Sequence, residues 1–260
     1  MGFPCSMIKA KKSLGQNFFI NSNLAKQIVQ IISEKPSDII VEIGPGEGYF
    51  SNLLDSKKKN LIMIEKDTVL ASKLKHTFQK QLIVNSDFLE WEFQELEKHY
   101  GKEIVFFGSL PYNVSKKIIE KIIQSKFFNS ESYFIIQKEV AEKYTDKEPN
   151  NNLLSLRTSI YANCRKLFDI KPEAFRPKPK VTSSFTLFEP KAMTSQNIIL
   201  RKNKVFDRFL QDSFAQPRKM LSNNLRKYNF QQNEEIIKLL NARPQHLSLE
   251  EYVLLFSNIY

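Results

Sequence analysis

The feature that most constrains the fold is a regular alternation up to about residue 145. Five short apolar runs occur there: DIIVEIG (38–44), NLIMIEKD (60–67), QLIVNSD (81–87), EIVFFGSL (103–110) and SYFIIQ (132–137). Each is apolar almost throughout, as a strand covered on both faces must be. Helical patterns follow near 48–56, 68–79, 115–125 and from about 138. A further helix over 22–34 precedes them, with Leu24, Ile28, Ile31 and Ile32 on one face and Ser22 or Asn21 as N-cap. Strands alternating with helices in this way predict an α/β fold, a doubly wound parallel sheet of Rossmann-like type.

The pattern changes after a polar gap, TDKEPNNN (145–152). A helix near 153–162 and strand candidates near 166–170 and 182–188 follow it. Past Glu189 only helical patterns remain, near 203–214, 217–228, 232–241 and 248–259. The expected organisation is an α/β domain over 7–189 and a small all-α domain over 190–260, with no internal repeat.

Charge separates the same regions. The chain has 39 Lys/Arg against 28 Asp/Glu, a net +11. Residues 1–148 carry 21 basic against 19 acidic residues, residues 149–230 carry 16 against 5, and residues 231–260 carry 2 against 4. The whole excess sits in the middle stretch. No apolar run approaches the roughly 18 residues a membrane helix needs, and Met1–Met7 lacks the basic start and apolar core of a signal peptide. Cys5 and Cys164 are too few for a disulfide scaffold, which favours a reducing, cytoplasmic setting. His76, His99 and His246 match no zinc spacing, so no metal is expected. MGFPCS fits a myristoylation pattern at Gly2, with a start at Met7 equally compatible.

Two strand ends carry the chemistry. Gly44-Pro45-Gly46-Glu47-Gly48 follows the first strand, where a glycine turn lets a ligand approach the backbone at the carboxyl edge of the sheet. A dinucleotide site needs glycine three residues after the second one, and that position is Tyr49. Glu65 ends the second strand, where it can accept from two ribose hydroxyls. Asp87 ends the third and can accept from an adenine amino group, with Phe88 as a stacking face. Together they converge on one nucleoside without pyrophosphate machinery, which favours S-adenosylmethionine over a dinucleotide. Gly108-Ser109-Leu110-Pro111-Tyr112-Asn113 follows the fourth strand. An exocyclic amine is a poor nucleophile because its lone pair is delocalised into the base. Acceptors at Ser109 Oγ and the Leu110 carbonyl favour the geometry that aims that lone pair at a methyl donor. Pro111 stiffens the turn and Tyr112 can stack on an extruded base. In-line displacement driven by positioning then needs no strong general base.

These motifs resemble the KsgA-type ribosomal RNA adenine N6-dimethyltransferases, with the Erm resistance methyltransferases as close relatives. KKSLGQNFFI (11–20), VEIGPGEG (41–48), EKD (65–67), SDF (86–88) and SLPYNVS (109–115) stand in the family's order. IIQKEVAEKY (135–144), FRPKPKVTSSF (175–185), FAQPRKMLSNNL (214–225) and RPQHLSLEEY (243–252) continue it. The resemblance spans nearly the whole chain past Met7. It implies a class I methyltransferase that uses S-adenosylmethionine. Gln16, Asn17 and Phe19 would close over the methionine end, Gly44 and Gly46 would line its path, and Glu65 with Lys66 would lie at the ribose. Asp87 and Phe88 would hold the adenine. Ser109, Leu110, Pro111 and Tyr112 would hold the target base, with Phe175 as its second aromatic face. One departure stands out: the family usually has Asn at the position of Ser109, although related amino-methyltransferases use Ser there.

The implied reaction is N6,N6-dimethylation of two adjacent adenosines near the 3′ end of small-subunit ribosomal RNA, in ribosome biogenesis. The implied partner is that RNA or its pre-ribosomal small subunit, met by a monomer. The cations Arg157, Arg165, Lys166, Lys171, Arg176, Lys178, Lys180, Arg201, Lys202, Lys204, Arg208, Arg218, Lys219, Arg226 and Lys227 read as an RNA track, with KAKKS (9–13) near the pocket mouth. Three alternatives stay open: an Erm-like enzyme acting on large-subunit RNA, a non-catalytic assembly factor, and a nicotinamide dehydrogenase. Tyr49 and the lack of a catalytic His disfavour the last.

Overall fold

The computed structural model describes residues 16–34, 36–57, 59–192, 194–231 and 233–259. The Gly2 pattern, Cys5, Met7, the KAKKS cluster and the first residues of KKSLGQNFFI lie outside them. The chain begins with β1 (Phe18–Phe19), α1 (Ser22–Glu34), β2 (Ile39–Ile43), α2 (Tyr49–Ser56), β3 (Leu61–Glu65), α3 (Thr68–Thr77) and β4 (Leu82–Asn85). It continues through α4 (Gln94–Glu97), β5 (Ile104–Ser109), α5 (Ser115–Ile123), β6 (Ser132–Gln137), α6 (Lys138–Thr145), α7 (Leu153–Ser159) and β7 (Ala162–Ile170). Then come β8 (Phe175–Arg176), β9 (Ser183–Pro190), α8 (Ser195–Lys202), α9 (Lys204–Ser213), α10 (Leu221–Asn224), α11 (Glu234–Leu240) and α12 (Leu249–Ser257).

All five anticipated strands form, in a seven-stranded sheet of order β4-β3-β2-β5-β6-β9-β7. The four pairings from β4 to β6 are parallel, with Val41 opposite Ile62 on one side and Phe106 on the other. Every residue of β2 and β3 is buried, which is why they read as unbroken apolar runs. The order reverses between β2 and β5, so the turns leaving these neighbours diverge and open a crevice at their carboxyl ends. Gly108 packs here: a Cβ on it would stand 2.7 Å from the Ile43 carbonyl oxygen. Its smallness serves close strand packing.

In α1 the fully buried side chains are Ala25, Ile28, Val29 and Ile32, while Leu24 and Ile31 are half-buried. Asn21 is the cap, its Oδ1 accepting the Leu24 N–H at 3.0 Å. The expected helix over 217–228 shrinks to α10, because the Asn224 side chain donates to the carbonyls of Ser213 and Gln216 (2.7 and 3.1 Å) and holds the preceding chain in a turn.

Two compact units interleave along the chain, where the sequence pattern divides it once, at 189/190. One runs to Lys138 and includes Leu167–Leu187; the other comprises Glu139–Lys166 and the chain from Phe188. The first is built around β2, β3 and β5, with Ile40, Met63, Val105 and Phe107 in its core. In the second, Leu156 and Ile160 join Phe206, Phe209, Leu210, Tyr252 and Leu255. There Arg157 forks onto Asp207 at 2.6 and 2.7 Å. This packing groups 139–166 with the later helices.

Candidate active site

The turn after β2 begins the site. Gly44 (φ +63°) and Gly46 (φ +60°) adopt the left-handed region that glycine reaches without strain. A Cβ on Gly44 would meet nothing within 4 Å, whereas one on Gly46 would stand 3.1 Å from the Phe18 ring. Glu65, at the end of β3, ties this turn to the next. Its Oε2 accepts the Gly46 N–H at 2.9 Å and its Oε1 accepts the Asp67 N–H at 2.8 Å. Burial raises its pKa, with these backbone donors opposing. Each carboxylate oxygen keeps lone-pair capacity for a further hydroxyl. Asp67 caps α3 through Val69 and Leu70 and accepts from Gln16 Nε2 at 3.4 Å.

Glu42, on β2, had no role in the sequence reading. It is 2% exposed, and Ser51 Oγ donates to it at 2.7 Å. Burial pushes its carboxyl up to about 7, with Ser51 opposing and Glu65 adding to the rise. The signal was present: one acid inside an otherwise apolar strand, DIIVEIG, where a charge is costly without purpose.

Past β4, Asp87 Oδ1 accepts the Leu89 N–H at 2.9 Å and Oδ2 accepts Lys66 Nζ at 2.6 Å. Burial works to raise Asp87, but Lys66 and the Leu89 N–H outweigh it and hold the carboxyl below its ordinary range. Phe88 is 3% exposed and packs against Trp91 and Phe93 at 5.7 and 5.9 Å.

Ser109 closes β5, opposite Ile135, and the Leu110 N–H donates to the Ile135 carbonyl at 3.0 Å. β6 thus fixes the start of the turn. The Tyr112 hydroxyl lies 2.7 Å from Ser183 Oγ on β9, and burial raises the phenol. Ser183 is fully buried. It stood in the FRPKPKVTSSF segment without an assigned role. β1 and β8 form a two-residue antiparallel ribbon pairing Phe19 with Phe175 and Phe18 with Arg176. The Phe19 and Phe175 rings meet edge to face at 5.2 Å. This ribbon fastens Gln16–Ile20 to the segment carrying Phe175.

One cavity of about 570 Å³ joins these features, within the usual size of small-molecule sites. Its wall holds every residue the sequence reading gave to the cofactor or the target base: Gln16, Asn17, Phe19, Gly44, Gly46, Glu65, Lys66, Asp87, Phe88, Ser109, Leu110, Pro111, Tyr112 and Phe175. Glu42 lines it as well. Carboxylate acceptors for hydroxyls, a ring beside a carboxylate and an open glycine make a lining suited to a nucleoside. Among the described residues no group of three or more His, Cys, Asp or Glu could hold a metal. No helix among them is long and apolar enough to cross a membrane. Burial raises the Cys164 thiol above its ordinary range.

The sequence model of the family described as ribosomal RNA adenine dimethylase matches residues 7–259. The chain belongs to that family. Membership makes it a methyltransferase and sets the dehydrogenase reading aside. A ribosomal RNA small subunit methyltransferase A from Francisella tularensis subsp. tularensis (strain SCHU S4) is 34% identical over 253 residues, 94% of this chain and 95% of the relative. The same-named protein of F. tularensis subsp. novicida (strain U112) is 35% identical over 254 residues, with the same coverage. Among solved structures, a dimethyladenosine transferase from Plasmodium falciparum has a TM-score of 0.73 at 20% identity, covering 92% of this chain and 95% of that one. The 23S rRNA methyltransferase ErmE has a TM-score of 0.72 at 20% identity, covering 94% and 99%. These two show the fold, that of a class I, Rossmann-like methyltransferase.

Proposed function

We propose that this dimethylase-family chain places two methyl groups on N6 of each of two adjacent adenosines near the 3′ end of small-subunit ribosomal RNA. It acts as a cytoplasmic monomer in ribosome biogenesis. The observation that carries the reading is the single cavity whose walls combine the Gly44/Glu65/Asp87 edge with the Ser109–Tyr112 turn. S-adenosylmethionine, bound there, supplies an electrophilic methyl group. Glu65 accepts its ribose hydroxyls, Asp87 and Phe88 hold its adenine, and Gly44 lets it lie against the backbone. Gln16, Asn17 and Phe19 would close over its methionine end.

On the other wall, Ser109 Oγ and the Leu110 carbonyl accept from the target amino group, orienting its lone pair. Tyr112, its hydroxyl engaged by Ser183, offers a ring face, and Phe175 offers the second. Serine at 109 is shorter than the family's usual Asn but keeps an acceptor. Cations of 149–230 beyond those engaged by carboxylates hold phosphates, and the second compact unit serves as the RNA-binding domain. Labelled S-adenosylmethionine is to be incubated with unmethylated small and large ribosomal subunits, and modified bases mapped by mass spectrometry. Dimethyladenosine in the small-subunit RNA is expected. Label in large-subunit RNA would make the enzyme Erm-like, and binding without label would make it an assembly factor.

A further inference from the structure

Lys121 lies on α5, the helix that follows the Ser109–Tyr112 turn. Its sequence setting, SKKIIEKII, reads as one of several lysines on the polar face of an amphipathic helix. The structure gives it a different place. Its ammonium donates to the Leu89 carbonyl at 2.8 Å and to the Trp91 carbonyl at 2.6 Å. It also stands over the Phe93 ring at 5.3 Å and the Phe88 ring at 6.0 Å. Two of its three donors are spent on one loop, and the positive charge faces aromatic π-systems. That loop, 87–93, carries Asp87 and Phe88 on the cavity wall. It turns on the Asp87 carbonyl, which accepts from the N–H groups of both Glu90 and Trp91 at 3.0 Å. It ends at Phe93, whose φ of 60° is left-handed, a conformation a bulky residue keeps only when its surroundings hold it. Lys121 also adds to the positive field that lowers the Asp87 carboxyl.

We propose that Lys121 is a positioning residue for the nucleobase end of the cofactor cavity, holding Asp87 and Phe88 in place by clamping the loop between them and Phe93. The proposal rests on the cofactor reading above. Trp91 is the single tryptophan of the chain. It packs against Phe88 and Phe93 at 5.7 and 4.9 Å, so its emission reports on this loop.

Lys121→Met removes the charge and keeps the alkyl stem. Dissociation constants for S-adenosylmethionine and for 5′-methylthioadenosine, which lacks the amino-acid end, are to be measured with wild type and variants. Both are expected to rise by a similar factor in Lys121→Met, about tenfold, the scale of one charge-assisted hydrogen bond lost. With saturating cofactor, kcat is expected to stay within about twofold of wild type, since positioning is then restored by binding. Trp91 emission of the free protein should shift to the red, and Lys121→Arg should recover most of the affinity. Unchanged affinity in Lys121→Met overturns the proposal. So does a loss in kcat alone, or a weakening of S-adenosylmethionine with methylthioadenosine unaffected. If Lys121→Met does not fold, Lys121→Gln carries the same comparison, and affinity equal to wild type overturns it. Wild type that binds neither compound refutes the cofactor reading instead; wild type that binds both, beside an equally tight variant, refutes only the role of Lys121.

Discussion

Gly44 and Gly101 form a natural matched pair. Both have positive φ, +63° and +84°, and a Cβ on either would meet nothing within 4 Å. Gly101 sits in the turn between α4 and β5 and is exposed; Gly44 opens into the cavity. Alanine at either site pays the left-handed penalty of about 1–2 kcal/mol, offset by roughly half a kcal/mol through the less flexible unfolded chain. Each substitution should therefore lower stability by about 1 kcal/mol, a fall in Tm of about 2–4 °C for a domain of this size. Their effects on binding should part completely. The Gly44→Ala methyl occupies space that a ligand lying on the turn must fill, so the S-adenosylmethionine Kd should rise at least about tenfold, or 1.4 kcal/mol. Gly101→Ala should bind as wild type. Differential scanning fluorimetry and isothermal titration calorimetry on the two variants decide the matter. Equal Tm losses with unchanged affinity in Gly44→Ala would refute the placement of the ligand against this backbone. Equal loss of affinity in both would assign the effect to strain alone.

Three further outcomes are expected. Tyr112→Phe and Ser183→Ala each remove one partner of the 2.7 Å contact; both should raise KM for RNA several-fold and leave cofactor Kd unchanged, and the double variant should be no worse than either single one. A larger, additive loss would show that the two residues act separately. Ser109→Asn should keep methylation and Ser109→Ala should lower it strongly; full activity in the Ala variant would remove Ser109 from the mechanism. Glu42 makes stability depend on pH. Its carboxyl is raised from 4.5 to about 7, so between those values the folded chain holds a proton that the unfolded chain releases. Stability is then greatest below about 4.5 and falls as pH rises to about 7, by roughly 3 kcal/mol if Glu42 acts alone. Urea unfolding at about pH 5 and about pH 8 should show this fall, and Glu42→Gln should flatten it; an unchanged slope in the variant would contradict the assignment.

Much of this architecture was legible because its signals are local. A strand buried on both faces is apolar along its length, so β2, β3, β5 and β6 announce themselves. Gly44 and Glu65 lie where two of those strands end, and Asp87 lies just past the shorter β4, so all three could be placed from the sequence pattern. The β1–β8 ribbon could not. Two residues carry no periodicity, and Phe19 meets Phe175 only because distant segments pair. Ser183 and Lys121 were hidden for a related reason. Each is an ordinary residue type for its own element, and each gains its role from a partner elsewhere in the chain, Tyr112 in one case and the 87–93 loop in the other. In α10 the sequence showed helix spacing but not the Asn224 side chain competing for nearby carbonyls.

The charge pattern needs the same distinction between residue type and partner. The +11 of residues 149–230 suggests a uniform basic track, yet several of its cations are engaged within the protein. Arg157 is forked onto Asp207, Arg165 lies 3.2 Å from Glu189, and Asp212 gathers Lys227 at 2.7 Å and Arg208 at 3.4 Å. Lys178 is paired with Glu173. A cation already neutralised by a carboxylate releases less counterion when it meets a phosphate, so it adds less to the salt dependence of RNA binding. The stretch also does not belong to one unit. Lys171, Arg176, Lys178 and Lys180 fall within Leu167–Leu187, in the unit that holds the cavity, and Arg176 lines the cavity itself. Positive charge therefore reaches the wall of the cavity, which the buried acids Glu42 and Glu65 also line.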